Sequence, residues 1–279
     1  MKKIFNTLAG LLLAILLIFS ILWLAIPKAG DEFASSRQNK ITSRTIHYAA
    51  LGDSLTEGIG DATNQGGFVP LFAKKIENKS NATVKIQNFG KAGDTSAQIY
   101  SRMTSKADIE AGLKSADVIT ITVGGNDVMK VLRENIANIS NMNENDFVKP
   151  AQEYQSRLKK IFAQIRHSNS KAQIYVLGIY NPFYLNFPDI TVMQDVINNW
   201  NQATEEVVNS QADAYFVPIN DLLYKGTSGQ AVEESTSSTD ETTDVSNNLL
   251  YTGDHFHPNN TGYQIMADAV FKSYEKINH

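Results

Sequence analysis

Five short runs of apolar and β-branched residues punctuate the chain after residue 44: Thr45 to Leu51, Ala82 to Phe89, Asp117 to Val123, Ala172 to Ile179 and Tyr215 to Ile219. Each has the length of a strand, and between them the apolar positions change to a spacing of three and four. That spacing predicts helices over Phe68 to Ile76, Ser96 to Leu113, Phe147 to Ile165 and Thr191 to Val208. Strands that alternate with helices of this length form a parallel sheet, because a parallel connection must cross back over the sheet. The predicted class is therefore α/β with a five-stranded parallel sheet. A last helix is expected after Asn260 and Thr261 as cap candidates, with Tyr263, Met266, Val270, Tyr274 and Ile277 on one face. From Gly226 to Asn248 Ser, Thr, Glu and Asp dominate and nothing apolar recurs, which predicts a mobile surface insertion in a domain running from 45 to 279.

The first thirty residues follow a different pattern. From Ile4 to Ile26 only Asn6, Thr7, Gly10 and Ser20 interrupt an apolar run of 23 residues. As a helix it is about 35 Å long, enough to cross a bilayer. Lys2 and Lys3 precede it and Asp31 and Glu32 follow, so the excess of positive charge places the N-terminus in the cytoplasm and the body outside. Residues 1–29 are expected to be a single-pass membrane anchor and residues 30–44 a polar stalk. A cleaved signal peptide is the rival reading, but Trp23, Ile26 and Pro27 occupy the region where a small-x-small cleavage site belongs.

Composition narrows the chemistry. With 42% hydrophobic residues, 19% charged and a net charge of −4, the body reads as an ordinary globular domain. Lysines and arginines are scattered, so the basic footprint of a nucleic-acid binder is missing. The chain has no cysteine, which removes disulfides, zinc-thiolate sites and a thiol nucleophile.

In an open parallel sheet ligands gather at the carboxyl ends of the strands. Gly52-Asp53-Ser54-Leu55 follows the first predicted strand, Asn88 to Thr95 comes with the end of the second and Gly124-Gly125-Asn126-Asp127 follows the third; Asp254-His255-Phe256-His257-Pro258 precedes the last helix. Acyl transfer to a serine needs a hydroxyl, a base, a group that orients the base, and donors aimed at the oxyanion. Ser54 is the candidate nucleophile, His257 the base, and Asp254, three positions before it, the orienting carboxylate. The backbone N–H groups of Ser54 and Gly93 and the side-chain amide of Asn126 are the candidate oxyanion donors.

Taken one at a time, these features have plainer readings. Gly-Asp-Ser is a common turn, Gly93 and Gly124-Gly125 suit tight turns, Asn126 suits a helix N-cap, and Asp254 suits a turn. Four clusters in the required order at one rim are what points to catalysis. His255 adjoins Asp254 too closely to be its partner, while His47, inside a strand, and His167, at a helix end, read as structural.

The same blocks resemble those of the GDSL, or SGNH, family of serine esterases and lipases: Gly52 to Leu55, Gly93 to Thr95, Gly125 to Asp127, and the Asp-x-x-His of Asp254 to His257. The resemblance implies a flavodoxin-like three-layer α/β/α fold, hydrolysis of acyl esters through an acyl-enzyme and no cofactor; anchoring at the outer leaflet suggests that the ester is an acyl lipid or an acylated cell-wall component. It also implies the roles given above to Ser54, Asp254 and His257 and to the donors of Ser54, Gly93 and Asn126. With its N-terminal span the chain looks like membrane-anchored members from Gram-positive bacteria. The G-x-S-x-G elbow of α/β-hydrolases is absent, since Thr56 stands fifth from Gly52. Two other readings use the same residues: a metal-dependent phosphoesterase with ligands drawn from Asp53, Asn126, Asp127, Asp254, His255 and His257, and a surface-binding protein that keeps the fold without catalysis.

Overall fold

A computed structural model describes residues 44–185, 192–227, 232–233 and 245–278. The segments expected to be the anchor and most of the stalk lie outside those residues. None of the described helices is long and apolar enough to cross a membrane.

The five predicted strands are present as β1 (Thr45–Gly52), β2 (Thr83–Gly90), β3 (Val118–Thr122), β4 (Gln173–Leu177) and β5 (Ala214–Val217). All pair in parallel, in the order β2-β1-β3-β4-β5. Alternation along β1 sends side chains to two separate cores, as the two-residue period of a strand requires. Ile46, Tyr48 and Ala50 face one layer of helices and Ala49 and Leu51 face the other. The first layer contains α2 (Phe68–Ser80) and α9 (Asn260–Ile277); Phe72, fully buried, packs edge-on against Tyr48 and Tyr274. The second contains α3 (Ser96–Ser105), α4 (Ala107–Ser115), α5 (Gly125–Glu134), α6 (Asn145–Ser168) and α7 (Val192–Asn209). Each fully buried large apolar side chain in these layers contributes roughly 1.5–3 kcal/mol. The result is the expected three-layer α/β/α fold. Two single-turn helices, α1 (Ser54–Glu57) and α8 (Asn220–Leu223), follow β1 and β5 directly.

Several expectations need correcting. The helix expected from Ser96 to Leu113 is two helices, broken at Lys106, whose φ of −110° and ψ of 115° are those of a strand. The apolar positions Ile99, Met103, Ile109 and Leu113 run through the break at near-helical spacing and hide it. Helix α5 was not foreseen because Gly124-Gly125-Asn126-Asp127 looks like a turn, although Val128, Val131 and Leu132 form its buried face. The cap of α9 is Asn259, whose side chain accepts from the N–H groups of Thr261 and Gly262. Asn260 and Thr261 already lie within the helix.

Of the segment from Gly226 to Asn248, expected to be a mobile insertion, residues 228–231 and 234–244 lie outside the described residues. Val232–Glu233 and Val245–Ser246 form the short antiparallel pair β6 and β7. Asn247 is buried, donates from Nδ2 to the Leu223 carbonyl (2.7 Å) and accepts from Leu249 N–H (3.0 Å). Asn247→Ala should therefore lower stability by about 1–3 kcal/mol, because it strands a buried acceptor and a buried donor. Denaturant unfolding checks this, and an unchanged midpoint would reduce Asn247 to a surface residue.

Candidate active site

The strand order reverses direction between β1 and β3, and Ser54 stands at that switch point, where open α/β sheets bind their ligands. The sequence around it permits little else. Gly52 lies against the hydroxyls of Thr56 and Thr122 with no room for a Cβ. Asp53, buried, caps α1: its Oδ1 accepts from Leu55 N–H (3.1 Å) and from the Thr122 hydroxyl (2.8 Å). Thr56 and Thr122 bond each other at 2.7 Å. Burial pushes the Asp53 carboxyl up from the ordinary carboxylate range, while the hydrogen bonds from Thr122 and Leu55 and the charge of His257 act to lower it. Gly58, in a left-handed conformation, closes the turn by donating to the Ser54 carbonyl (2.9 Å).

The candidate base, His257, lies 203 positions further along the chain than Ser54. Tyr251 N–H donates to the His257 carbonyl (2.7 Å), and a bridge between Leu250 and Pro258 closes the loop. Asp254 Oδ1 accepts the backbone N–H groups of Phe256 (2.9 Å) and His257 (3.0 Å), and Oδ2 lies 2.6 Å from His257 Nδ1. His257 Nε2 is 2.9 Å from Ser54 Oγ. Burial works to raise the Asp254 pKa, but the His257 ring and the two N–H donors outweigh it, and the carboxyl is held below its ordinary value. A charged carboxylate at Nδ1 selects the tautomer protonated there and leaves Nε2 as an acceptor for the Ser54 hydroxyl.

The two remaining blocks are tied to each other. Gly93 has a φ of +81° and open space where a Cβ would stand, so conformation, not crowding, requires glycine. Asp94 pairs with Arg102, whose Nη2 also donates to the Gly52 carbonyl (3.0 Å). Asn126, in the first turn of α5, donates from Nδ2 to the Asp94 carbonyl (3.1 Å). A carbonyl can only accept, so this bond fixes which way the amide faces and leaves its second N–H free. Asn126 is not the N-cap of α5, which is Gly124. Asp127 is held by Ser96 and Arg157.

Ser54 and Asn126 both line a cavity whose other walls are mainly apolar: Leu55, Val123, Ile179, Tyr180, Pro182 and Phe256. Gly93 is not part of that wall. Tyr180 donates to the Phe256 carbonyl (2.5 Å) and so fastens the loop carrying His257 to the end of β4. The sequence did not single out Thr122, Arg102 or Tyr180, because no motif marks residues that act through contacts across the fold. His255 is exposed at a φ of 51°, His47 lies in β1 and His167 in the last turn of α6, away from Ser54 in the chain's topology. Among the described residues no cluster of three or more His, Cys, Asp or Glu side chains is arranged to hold a metal ion.

The sequence model of the GDSL-like lipase/acylhydrolase family matches residues 50–265, and the chain belongs to that family; it is a carboxylic ester hydrolase. It is 30% identical over 279 residues to the uncharacterized protein YpmR of Bacillus subtilis, covering 98% of this chain and 96% of YpmR. It is 26% identical over 234 residues to the spore germination lipase LipC of Bacillus licheniformis, covering 81% and 95% of the two chains. Among solved structures, the lipase Lip_vut3 from a goat rumen metagenome superposes with a TM-score of 0.64 at 25% identity, over 82% of this chain and 96% of that one. Axe2, an acetylxylan esterase from Geobacillus stearothermophilus, shares the fold at 14% identity, with a TM-score of 0.54 over 82% and 93%.

Proposed function

We propose that the protein cleaves acyl esters through a covalent acyl-enzyme on Ser54, at the outer face of the membrane to which residues 1–29 anchor it. The observation that carries the mechanism is the unbroken chain from Asp254 Oδ2 through His257 to Ser54 Oγ, with separations of 2.6 and 2.9 Å. Ser54 Oγ attacks the ester carbon as its proton passes to His257 Nε2. The tetrahedral oxyanion is met by the N–H groups of Ser54 and Gly93 and by the free N–H of Asn126. Collapse breaks the bond to the alcohol, which leaves with the proton from Nε2. Water then attacks the acyl-enzyme, giving its proton to His257, and the second collapse frees the carboxylic acid and returns the proton to Ser54.

The mainly apolar walls beside Ser54, together with the naming of LipC and Lip_vut3 as lipases, support an ester of an acyl chain longer than acetyl. Lysophospholipids, other acyl lipids and acylated cell-wall polymers are the substrates within reach of an anchored enzyme. For the phosphoesterase alternative, Asp53 and Asp127 are already committed to Thr122, Ser96 and Arg157. A fluorophosphonate probe should label the native full-length protein at Ser54, and hydrolysis should rise from acetyl towards longer acyl esters. No labelling would overturn the serine reading, and a preference for acetyl esters would overturn the acyl-chain reading. Protease added to intact cells should remove the body and spare the N-terminus. Recovery of a shortened protein from the medium as the main form would refute the anchor.

A further inference from the structure

The loop from Gly58 to Gly67, between α1 and α2, is folded around one carboxylate. Asp61 is 8% exposed. Its Oδ1 accepts from the N–H (2.8 Å) and hydroxyl (2.6 Å) of Thr63, and its Oδ2 from the N–H groups of Gln65 (3.0 Å), Gly66 (3.1 Å) and Gly67 (3.0 Å). Burial acts to raise its pKa, but the Thr63 hydroxyl and the backbone donors outweigh it and hold the carboxyl down to about 2. A sixth donor comes from across the molecule. Asn260 Nδ2 lies 3.1 Å from Asp61 Oδ1, and Asn260 Oδ1 accepts Ala62 N–H at 3.0 Å.

Asn260 opens α9, three positions after His257. The contact therefore joins the loop that follows Ser54 to the turn that follows its base. It is flanked by the Tyr263 hydroxyl, which donates to the Ile59 carbonyl (2.6 Å), and by Gly60, whose lack of a Cβ lets it close on the Pro258 carbonyl. Asp53 and Thr122 hold Ser54 to the sheet, and Tyr251 and Asp254 hold His257 in its loop. The Asp61–Asn260 contact sets one of these halves against the other. Neither residue lines the cavity beside Ser54.

We propose that Asp61 and Asn260 are positioning residues that fix the separation of Ser54 Oγ and His257 Nε2, with the charged Asp61 as the rigid hub and Asn260 as the link. This rests on the reading of Ser54 as nucleophile. A catalytic pair loses about 10²-fold for a misplacement near 1 Å, so Asn260→Ala should lower kcat by roughly 10- to 100-fold and leave KM near its native value. The rate of labelling by a fluorophosphonate should fall by the same factor, since the probe reads the serine–histidine pair without the natural substrate.

The test compares native protein, Ser54→Ala, Asn260→Ala and Asn260→Asp, all full-length, with circular dichroism to confirm the fold. Asn260→Asp keeps the shape and the acceptor for Ala62 N–H, but it sets a second carboxylate against Asp61; one of the two takes up a proton as the pH falls. Its kcat/KM relative to native should be depressed at pH 8 and rise as the pH is lowered, while the ratio for Asn260→Ala stays low and flat. A merely structural contact would shift thermal stability without that pH-dependent ratio. Native protein that fails to label overturns the serine reading and this proposal with it. Native protein that labels beside two Asn260 variants of native rate at every pH overturns the positioning role alone. Should Asn260→Ala not fold, Asn260→Asp at low pH, isosteric with native, carries the same test.

Discussion

Ser54→Ala and His257→Ala should each reduce ester hydrolysis by about 10⁴- to 10⁶-fold, the range over which members of serine-hydrolase triads act as a unit. With Ser54 Oγ gone no acyl-enzyme forms. With His257 gone, the hydroxyl keeps its proton and the leaving alcohol has no acid. Asp254→Asn should cost about 10⁴-fold or less: the ring keeps its place, but the Nδ1 partner no longer stabilises the imidazolium or selects the productive tautomer. His255→Ala should be mild, because that side chain is exposed on the outside of the same loop. Steady-state hydrolysis of a chromogenic ester measures all four, and the native rate should survive a chelator. Chelator-sensitive turnover with a fully active Ser54→Ala variant would favour a metal-dependent phosphoesterase.

For Asn126→Ala the expected loss is roughly 10²- to 10³-fold in kcat with little change in KM, since a donor to the oxyanion strengthens only as charge develops. The local structure keeps this test clean. Asn126 does not cap α5, and among the described residues its side chain bonds the Asp94 carbonyl at 3.1 Å, so truncation removes the donor without dismantling the helix. Asn126→Asp is a sharper companion: nearly the same size, it places negative charge where the oxyanion forms and should be at least as damaging. Stopped-flow acylation with an activated ester separates the two parameters. An unchanged kcat would reduce Asn126 to a brace between the second and third blocks.

The sheet was legible because each strand is a compact run bounded by glycine or polar residues, and because residues such as Ile119, Ile121, Ile174 and Val176 have no other reason to cluster. The residues of the candidate site were legible for a different reason. Ser54, Asn126 and the Asp254–His257 spacing sit immediately after or before elements whose ends must converge in a parallel sheet. What escaped was local geometry and long-range contact. The strand-like dihedrals of Lys106 leave no mark on the apolar spacing, and Gly124-Gly125 disguised the start of α5. The buried Asn247 lay in a stretch whose composition reads as solvent-exposed. Asp61 looks like any loop aspartate until five donors of its own loop and one from Asn260 are found around it.

The hydrogen bond between Ser54 and His257 spans 203 positions of sequence. During synthesis, at about 5–20 residues per second, this places the base roughly 10 to 40 s behind the nucleophile. A nascent chain therefore carries Ser54 long before the ring it bonds in the finished fold. Helix α9, which packs against α2, follows His257 in the chain, so the contacts that join the two halves of the site form only after residues 257–277 are made. On the serine reading, a chain that stops short of His257 carries the proposed nucleophile without its proposed base.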